Sequence, residues 1–274
     1  MNFSVVSVQP QEVVSVFARL YGLSEQDALP ITAQMTSAWM VQNKELEILG
    51  AIGVRPSPAH GAEVMGGAFE GAEQQQAALT LLQAALSAQP RLYAYAEQRF
   101  LPLTALVTAG LKPVASYVRM AGPLPLALPE MPTGFTLARW SEAGLGDRLA
   151  AQRTHSDRIG HTHVTAEAVE LSLNDTNDAL SRIAYDASGK AAGVCRASLD
   201  GEVLALGTPG IRPDVRETEL RHALLLSVCQ AAGAMGAVQL ILEGWGDTEA
   251  EQQDDQALGL VTEEQTLIYS SVTP

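Results

Sequence analysis

The same order of elements occurs twice in this chain. In residues 134–274 a strand, FTLARW (Phe135–Trp140), leads into helical stretches around 142–154 and 165–173. Three strand-like runs follow: ALSRIAY (179–185), AAGVCRASL (191–199) and EVLALG (202–207). The DASGK and DG segments between them are hairpin signals, because Asp and Gly accept the backbone conformations that tight turns require. A helix then places Leu220, Leu224, Val228 and Ala231 on one apolar face. VQLILE (238–243) reads as a strand, Thr248 with Glu251 three residues on as a capping box opening a helix, and TLIYSSV (266–272) as the last strand.

The first half repeats this with shorter connections. Strand SVVSVQ (4–9) precedes helical stretches, then WMVQ, an NK turn, ELEILGAIGV, a PSPAHG turn and AEVMGGA (62–68). A helix over 72–88 puts Ala78, Leu82 and Ala85 on one face; LYAYA, a helix over 103–109 and the strand VASYVRM close the unit. Two copies of one α/β unit, each with a mixed, mainly antiparallel sheet flanked by helices, is the simplest account. The segment AGPLPLALPEMPTG holds four prolines and no apolar period, so it reads as a linker. The expected boundaries are 1–120, a linker at 121–133, and 134–274.

Charge narrows the function. The 274 residues carry a formal charge of −14, and 21 of the 31 acids fall in residues 134–274. Nucleic-acid binding and adhesion to anionic membranes both depend on clustered Lys and Arg, so neither is expected. The longest uncharged run, His222–Leu242, is broken by Gly233 and Gly236 and reads as helix, turn, strand rather than a membrane span. The opening residues MNFSVVSVQP lack the basic-then-apolar pattern of a secretory signal, which predicts a cytoplasmic protein. Cys195 and Cys229 both stand in apolar patterns and are expected to be buried thiols.

The stretch GIRPDVRETELRHALL (210–225), the strand VQLILE after it and the LGL turn at 258–260 resemble the GNAT superfamily of acyl-CoA N-acyltransferases, here in tandem. Ile211, Pro213, Arg216, Leu220, Leu224 and Leu225 match the family's frame ahead of and within the helix. The resemblance spans nearly the whole second half and, more weakly, most of the first. It implies acetyl-CoA or another acyl-CoA as co-substrate, a small amine as acceptor, and cofactor contacts at Ile211, Arg216, Glu217, Thr218, Glu219, Leu220 and Arg221. The family uses glycines there so that backbone N–H groups approach the pyrophosphate. This chain has Glu217, Glu219 and Arg221 instead, and EQQQAA (73–78) in the first half. A carboxylate about 6 Å from a phosphate costs roughly 3 kcal/mol per charge pair at an effective dielectric near 20. The other role open to Glu217 and Glu219 is to stabilise the first helical turn against its own dipole. The family's tyrosine acid would fall near Asp255 and near Leu106, and neither is a tyrosine.

Glu202, at the start of the strand leading to Gly210, is the candidate general base, or else a solvated residue after the DG turn. THSDRIGHTH (154–163) gathers three of the five histidines. By the resemblance this loop borders the acceptor pocket, with His155, Asp157 and His163 touching substrate. A metal site in the His155–His163 segment is the competing reading, but HxH spacing is common and no metal is expected. EGWGDTEAEQQDDQ (243–256) has six acids and no base, which reads as a solvated face or, beside a pocket, as an attraction for a cationic amine; Trp245 would pack over a ligand or in the core. Two expectations follow: an N-acyltransferase whose second half is catalytic, or a non-catalytic tandem scaffold binding a small ligand or a protein. Edge pairing between chains would give a homodimer.

Overall fold

A computed structural model describes residues 3–97, 99–161, 164–171 and 177–272. The chain divides into two compact units, residues 1–115 with 266–274, and residues 116–265. The division does not follow the linear boundaries expected from the Pro-rich segment.

In the first unit the order is β1 (Ser4–Val8), α1 (Val14–Tyr21), α2 (Glu25–Thr32), β2 (Ser37–Gln42), β3 (Ile48–Ser57), β4 (Gly61–Ala68), α3 (Gln74–Ala88), β5 (Leu92–Tyr95) and α4 (Leu103–Thr108). β1 to β4 form an antiparallel meander, and β5 joins β4 in parallel through Ala62↔Leu92 and Glu63↔Tyr93. Helix α3 buries Ala77, Ala78, Leu81, Leu82 and Ala85, the face its periodicity predicts.

The second unit begins inside β6 (Lys112–Pro123) and continues through β7 (Thr136–Arg139), α5 (Leu145–Gln152), α6 (Ala166–Leu171), β8 (Arg182–Tyr185), β9 (Ala191–Cys195), β10 (Ala197–Asp200), β11 (Val203–Gly207), β12 (Gly210–Ile211), α7 (Leu220–Gly233), β13 (Gln239–Trp245) and α8 (Glu249–Ala257), with β14 (Val261–Ser270) last. The run AAGVCRASL, which reads as one strand, is two, while EVLALG is one strand as expected and is followed by the short β12. The chain turns out of one ladder at Arg196 and out of another at Thr208–Pro209. One sheet of this unit has the order β6-β13-β11-β10, and a second has β12-β9-β8-β7. The expected hairpins are present: Asp186 Oδ1 accepts from the Ser188 and Lys190 amides, and Gly201 takes φ +57°. Thr248 and Glu251 form the expected capping box at α8. The Leu220, Leu224 and Val228 face of α7 is fully buried, and so are Leu225, Leu226 and Cys229 on its other faces. Cys195 and Cys229 are buried thiols.

Two strands end up in unexpected places. Residues 117–123 of β6, the first three residues of the expected linker among them, pair with β13 from Tyr117↔Trp245 to Pro123↔Gln239. Pro123 lies at the end of that strand, where its missing N–H does least harm. Ile268, Tyr269 and Ser270 at the end of β14 pair with Tyr95, Ala94 and Tyr93 of β5, so the last strand of the sequence completes the first unit.

Candidate functional site

In the second unit β11 and β13 run parallel from Val203↔Gln239 to Gly207↔Glu243. The Thr208 amide still donates to the Glu243 carbonyl at 2.7 Å, but Pro209 has no amide and Gly210–Ile211 pairs with β9 instead. The two strands therefore part at their carboxyl ends, the place where open α/β sheets hold ligands. A 3-10 turn at Arg153–His155 and the loop after it stand in this gap. A Cβ on Gly210 would lie 2.2 Å from His155 Nδ1, and one on Gly246 (φ +70°) would lie 2.9 Å from the Ile159 carbonyl oxygen. These two glycines make room for the protein's own loop. Gly210→Ala should cost about 1–3 kcal/mol by overpacking, and urea unfolding with unchanged stability would show that the loop yields.

A buried ion network ties that loop to α7 and α8. The Arg158 guanidinium donates to Asp247 Oδ1 at 2.7 Å and to both oxygens of Glu251, the Oε2 contact at 2.9 Å. The Arg221 guanidinium donates to Asp255 Oδ1 and Oδ2 at 2.8 and 2.7 Å and to Thr208 Oγ1 at 3.0 Å. Arg221 is 8% exposed and Asp255 2%. Burial pushes the Asp247 carboxyl up to about 6 against the pull of Arg221 and Arg158. Burial would also raise Glu251, but hydrogen bonds from Arg158 and the Thr248 amide bring it down to about 2. The acidic run 243–256 is thus not simply a solvated face: Asp247 and Asp255 are buried, and the cations they meet are the protein's own arginines.

The turn ahead of α7 differs from a phosphate cradle in the same way. Glu217 and Glu219 are exposed, and Glu219 occupies the N-cap position without a side-chain cap. Thr218 Oγ1 donates to the Val215 carbonyl, while Ile211 and Leu220 are core residues. Arg216 donates to both oxygens of Asp157 at 3.0 and 2.9 Å and to the Ile211 carbonyl. Burial alone would raise Asp157, but these bonds hold it below the usual range. A residue expected at the acceptor and one expected at the cofactor are therefore paired with each other. Arg212 is likewise held by Asp186 and Asp214. A cavity of about 440 Å³ adjoins this turn and is lined by Arg153, Asp157, Lys190, Arg212 and Pro213 among others.

His155, His161 and Trp245 come together. The imidazoles stack at 4.1 Å and 22°, His161 meets Trp245 edge-on at 6.4 Å, and the three line a cavity of about 280 Å³ with Gln152, Ser156, Gly160 and Val164. Burial lowers His155 to about 3 and His161 to about 4, so both rings are neutral at pH near 7. His163 lies outside the described residues. Among the described residues no group of three His, Cys, Asp or Glu side chains is placed to hold a metal. Glu202 is exposed at the start of β11, the far end of the strand from the gap, roughly 17 Å away at about 3.3 Å per residue. Sequence reasoning missed Arg158, Asp247 and Glu251. The available signal was the four-residue spacing of Asp247, Glu251 and Asp255, which puts three carboxylates on one side of α8 and its leading turn.

The first unit closes its parallel pair in a related way. The Gly66 amide donates to the Tyr21 hydroxyl at the end of α1 (2.9 Å), and a Cβ on Gly67 would lie 2.2 Å from the Phe100 carbonyl oxygen. Burial and the Glu97 charge push Tyr21 up to about 12. In the EQQQAA stretch, Gln74 Nε2 donates to the Arg99 carbonyl at 2.6 Å.

No family model and no curated protein matches the chain by sequence. Among the described residues no helix is long and apolar enough to cross a membrane. Solved structures do match over the full length. The chain is similar to a GCN5-related N-acetyltransferase from Sphaerobacter thermophilus (19% identity, 98% of this chain and 95% of that one, TM-score 0.55). It is similar to the same class of protein from Anabaena variabilis ATCC 29413 (14%, 98% and 72%, TM-score 0.60). It also aligns with a tandem GNAT protein from the clavulanic acid biosynthesis pathway over 100% of both chains, at 13% identity and TM-score 0.56. With the meander, the parting parallel strands and the helix between them present in the second unit and echoed in the first, the chain has the tandem fold of the GNAT superfamily.

Proposed function

We propose that this chain is a tandem GNAT-fold protein that binds a small ligand in its second unit without turning over acyl-CoA. One observation carries the reading. Arg221 stands where the family places a glycine, and its side chain is buried in a bidentate pair with Asp255, bridging α7 and α8 across the parted strands. A pantetheine chain entering there would have to break that pair, and separating a buried pair is strongly unfavourable.

The second reading is N-acyl transfer from acyl-CoA to an amine, and the cavity beside Trp245 favours it, since the parted strands would bring an acyl group to that side. The melting temperature of the full chain with acetyl-CoA and with longer acyl-CoAs separates the two. A bound ligand at about 100 times its dissociation constant adds roughly 2.7 kcal/mol to stability. The binding-protein reading expects no shift with any acyl-CoA, and expects Glu217→Gly with Glu219→Gly to leave this unchanged, because Arg221 still spans the gap. A clear shift of the unaltered protein would establish the transferase reading instead.

A further inference from the structure

The proposed function leaves the ligand's chemistry open, and the walls of the 280 Å³ cavity restrict it. The described residues lining it are Gln152, His155, Ser156, Gly160, His161, Val164 and Trp245, and none is charged at neutral pH. Its broad surfaces are aromatic: two imidazoles stacked at 4.1 Å with the Trp245 ring edge-on to them. The charges acting on both imidazoles are Arg158, which disfavours their protonation, and Asp157, which favours it and is itself held by both outer nitrogens of Arg216. Asp247 and Glu251, the carboxylates near Arg158, already bind that guanidinium. A cationic amine would therefore enter beside Arg158, with Asp157, Asp247 and Glu251 already bound to arginines. An anion would find the Arg158 donors engaged. The volume is at the small end of the range for ligand pockets, enough for one substituted ring.

Resting on the small-ligand reading above, we propose that this cavity binds a flat, uncharged ring carrying one polar group, an aryl amide or its equivalent, and discriminates against cationic amines. Ring faces stack on the imidazoles and meet Trp245 in the edge and offset arrangements that aromatic pairs favour. Gln152 and the Ser156 hydroxyl, whose proton is already given to the Arg153 carbonyl at 2.9 Å, supply the polar contacts.

Benzamide, benzylamine and benzoate share a ring and a size and differ in charge, so they serve as probes of the full chain near neutral pH. Tryptophan fluorescence and melting temperature are read in parallel. The expected result is saturable binding of benzamide, with benzylamine and benzoate at least about tenfold weaker, a difference of about 1.4 kcal/mol. Trp245→Phe should remove the fluorescence response while the benzamide melting shift persists. Val164→Phe, which fills the cavity, should abolish both. Benzylamine binding as tightly as benzamide, a benzamide response that survives Val164→Phe, or no response to any of the three would each overturn the proposal. Acetyl-CoA is run alongside: a melting shift with it overturns the non-acyl reading of the protein, and leaves the ring preference to be decided by the three probes.

Discussion

Arg221→Met, made with Asp255 intact, should lower the stability of the second unit by about 3–5 kcal/mol, because it leaves a buried carboxylate without its counter-charge. Asp255 is 2% exposed and takes both of its short hydrogen bonds from Arg221, whose guanidinium also lies 3.8 Å from Asp247 and 3.9 Å from Glu251. Removing the cation thus leaves three carboxylates with Arg158 alone. Arg221→Met combined with Asp255→Leu removes both members of the pair and should recover most of the loss, since a buried ion pair contributes little net stability against an apolar replacement. Urea unfolding of the two variants, followed by Trp140 and Trp245 fluorescence, checks this. A single variant as stable as the parent would mean that the pair is hydrated in solution and does not close the gap. The double variant also bears on ligand access: with the bridge gone, any acyl-CoA affinity held back by it should appear as a melting shift absent from the parent.

The repeat was legible because turn chemistry and helix caps are local. Asp186 with Gly189, Gly201 in the hairpin, and Thr248 with Glu251 each act over a few residues, and each is present as expected. Partners distant in sequence were not legible. Arg221 and Asp255 are 34 residues apart and Arg158 and Asp247 are 89 apart. Nothing in an acidic run says which of its carboxylates will face inward until α8 is set against α7. The arginines suffered the converse error. Arg216 and Arg221, expected as cofactor contacts, and Arg212 beside them are all engaged by carboxylates of the same unit. His155, which the resemblance puts at the pocket, does line a cavity, and so does His161, which stacks on it and enters the sequence reading only within the candidate metal segment 155–163. The split of the run 191–199 at Arg196 is hidden for another reason. An apolar alternation reports which side a residue faces, and it continues unchanged when the backbone passes from one sheet to the next.

Ending the chain after Gln265 should destabilise the first unit, although the deleted residues are the last in the sequence. The pattern of TLIYSSV identifies a strand and is silent about its sheet. In the structure Ile268 and Tyr269 are buried, and Tyr269 belongs to the core formed by Leu81, Leu82, Leu92 and Leu106. The Ala96 amide donates to the Leu267 carbonyl at 2.8 Å, and the Ser271 amide donates to the Leu92 carbonyl at 3.0 Å. Losing the two buried side chains removes about 1.5–3 kcal/mol each, and the ladder bonds add about 0.5–1.5 kcal/mol each, a sum that is a large part of a typical domain's stability. Ile268→Ala is the milder version and should cost about 2–5 kcal/mol. Hydrogen exchange locates the effect. Amides of residues 92–96 should lose protection in the truncated chain, while those of 203–207 and 239–243, which pair within residues 116–265, should keep theirs. Retained protection at 92–96 would mean that β5 is held by β4 and α3 alone, and that the terminal strand is an ornament of the first unit rather than a part of its core.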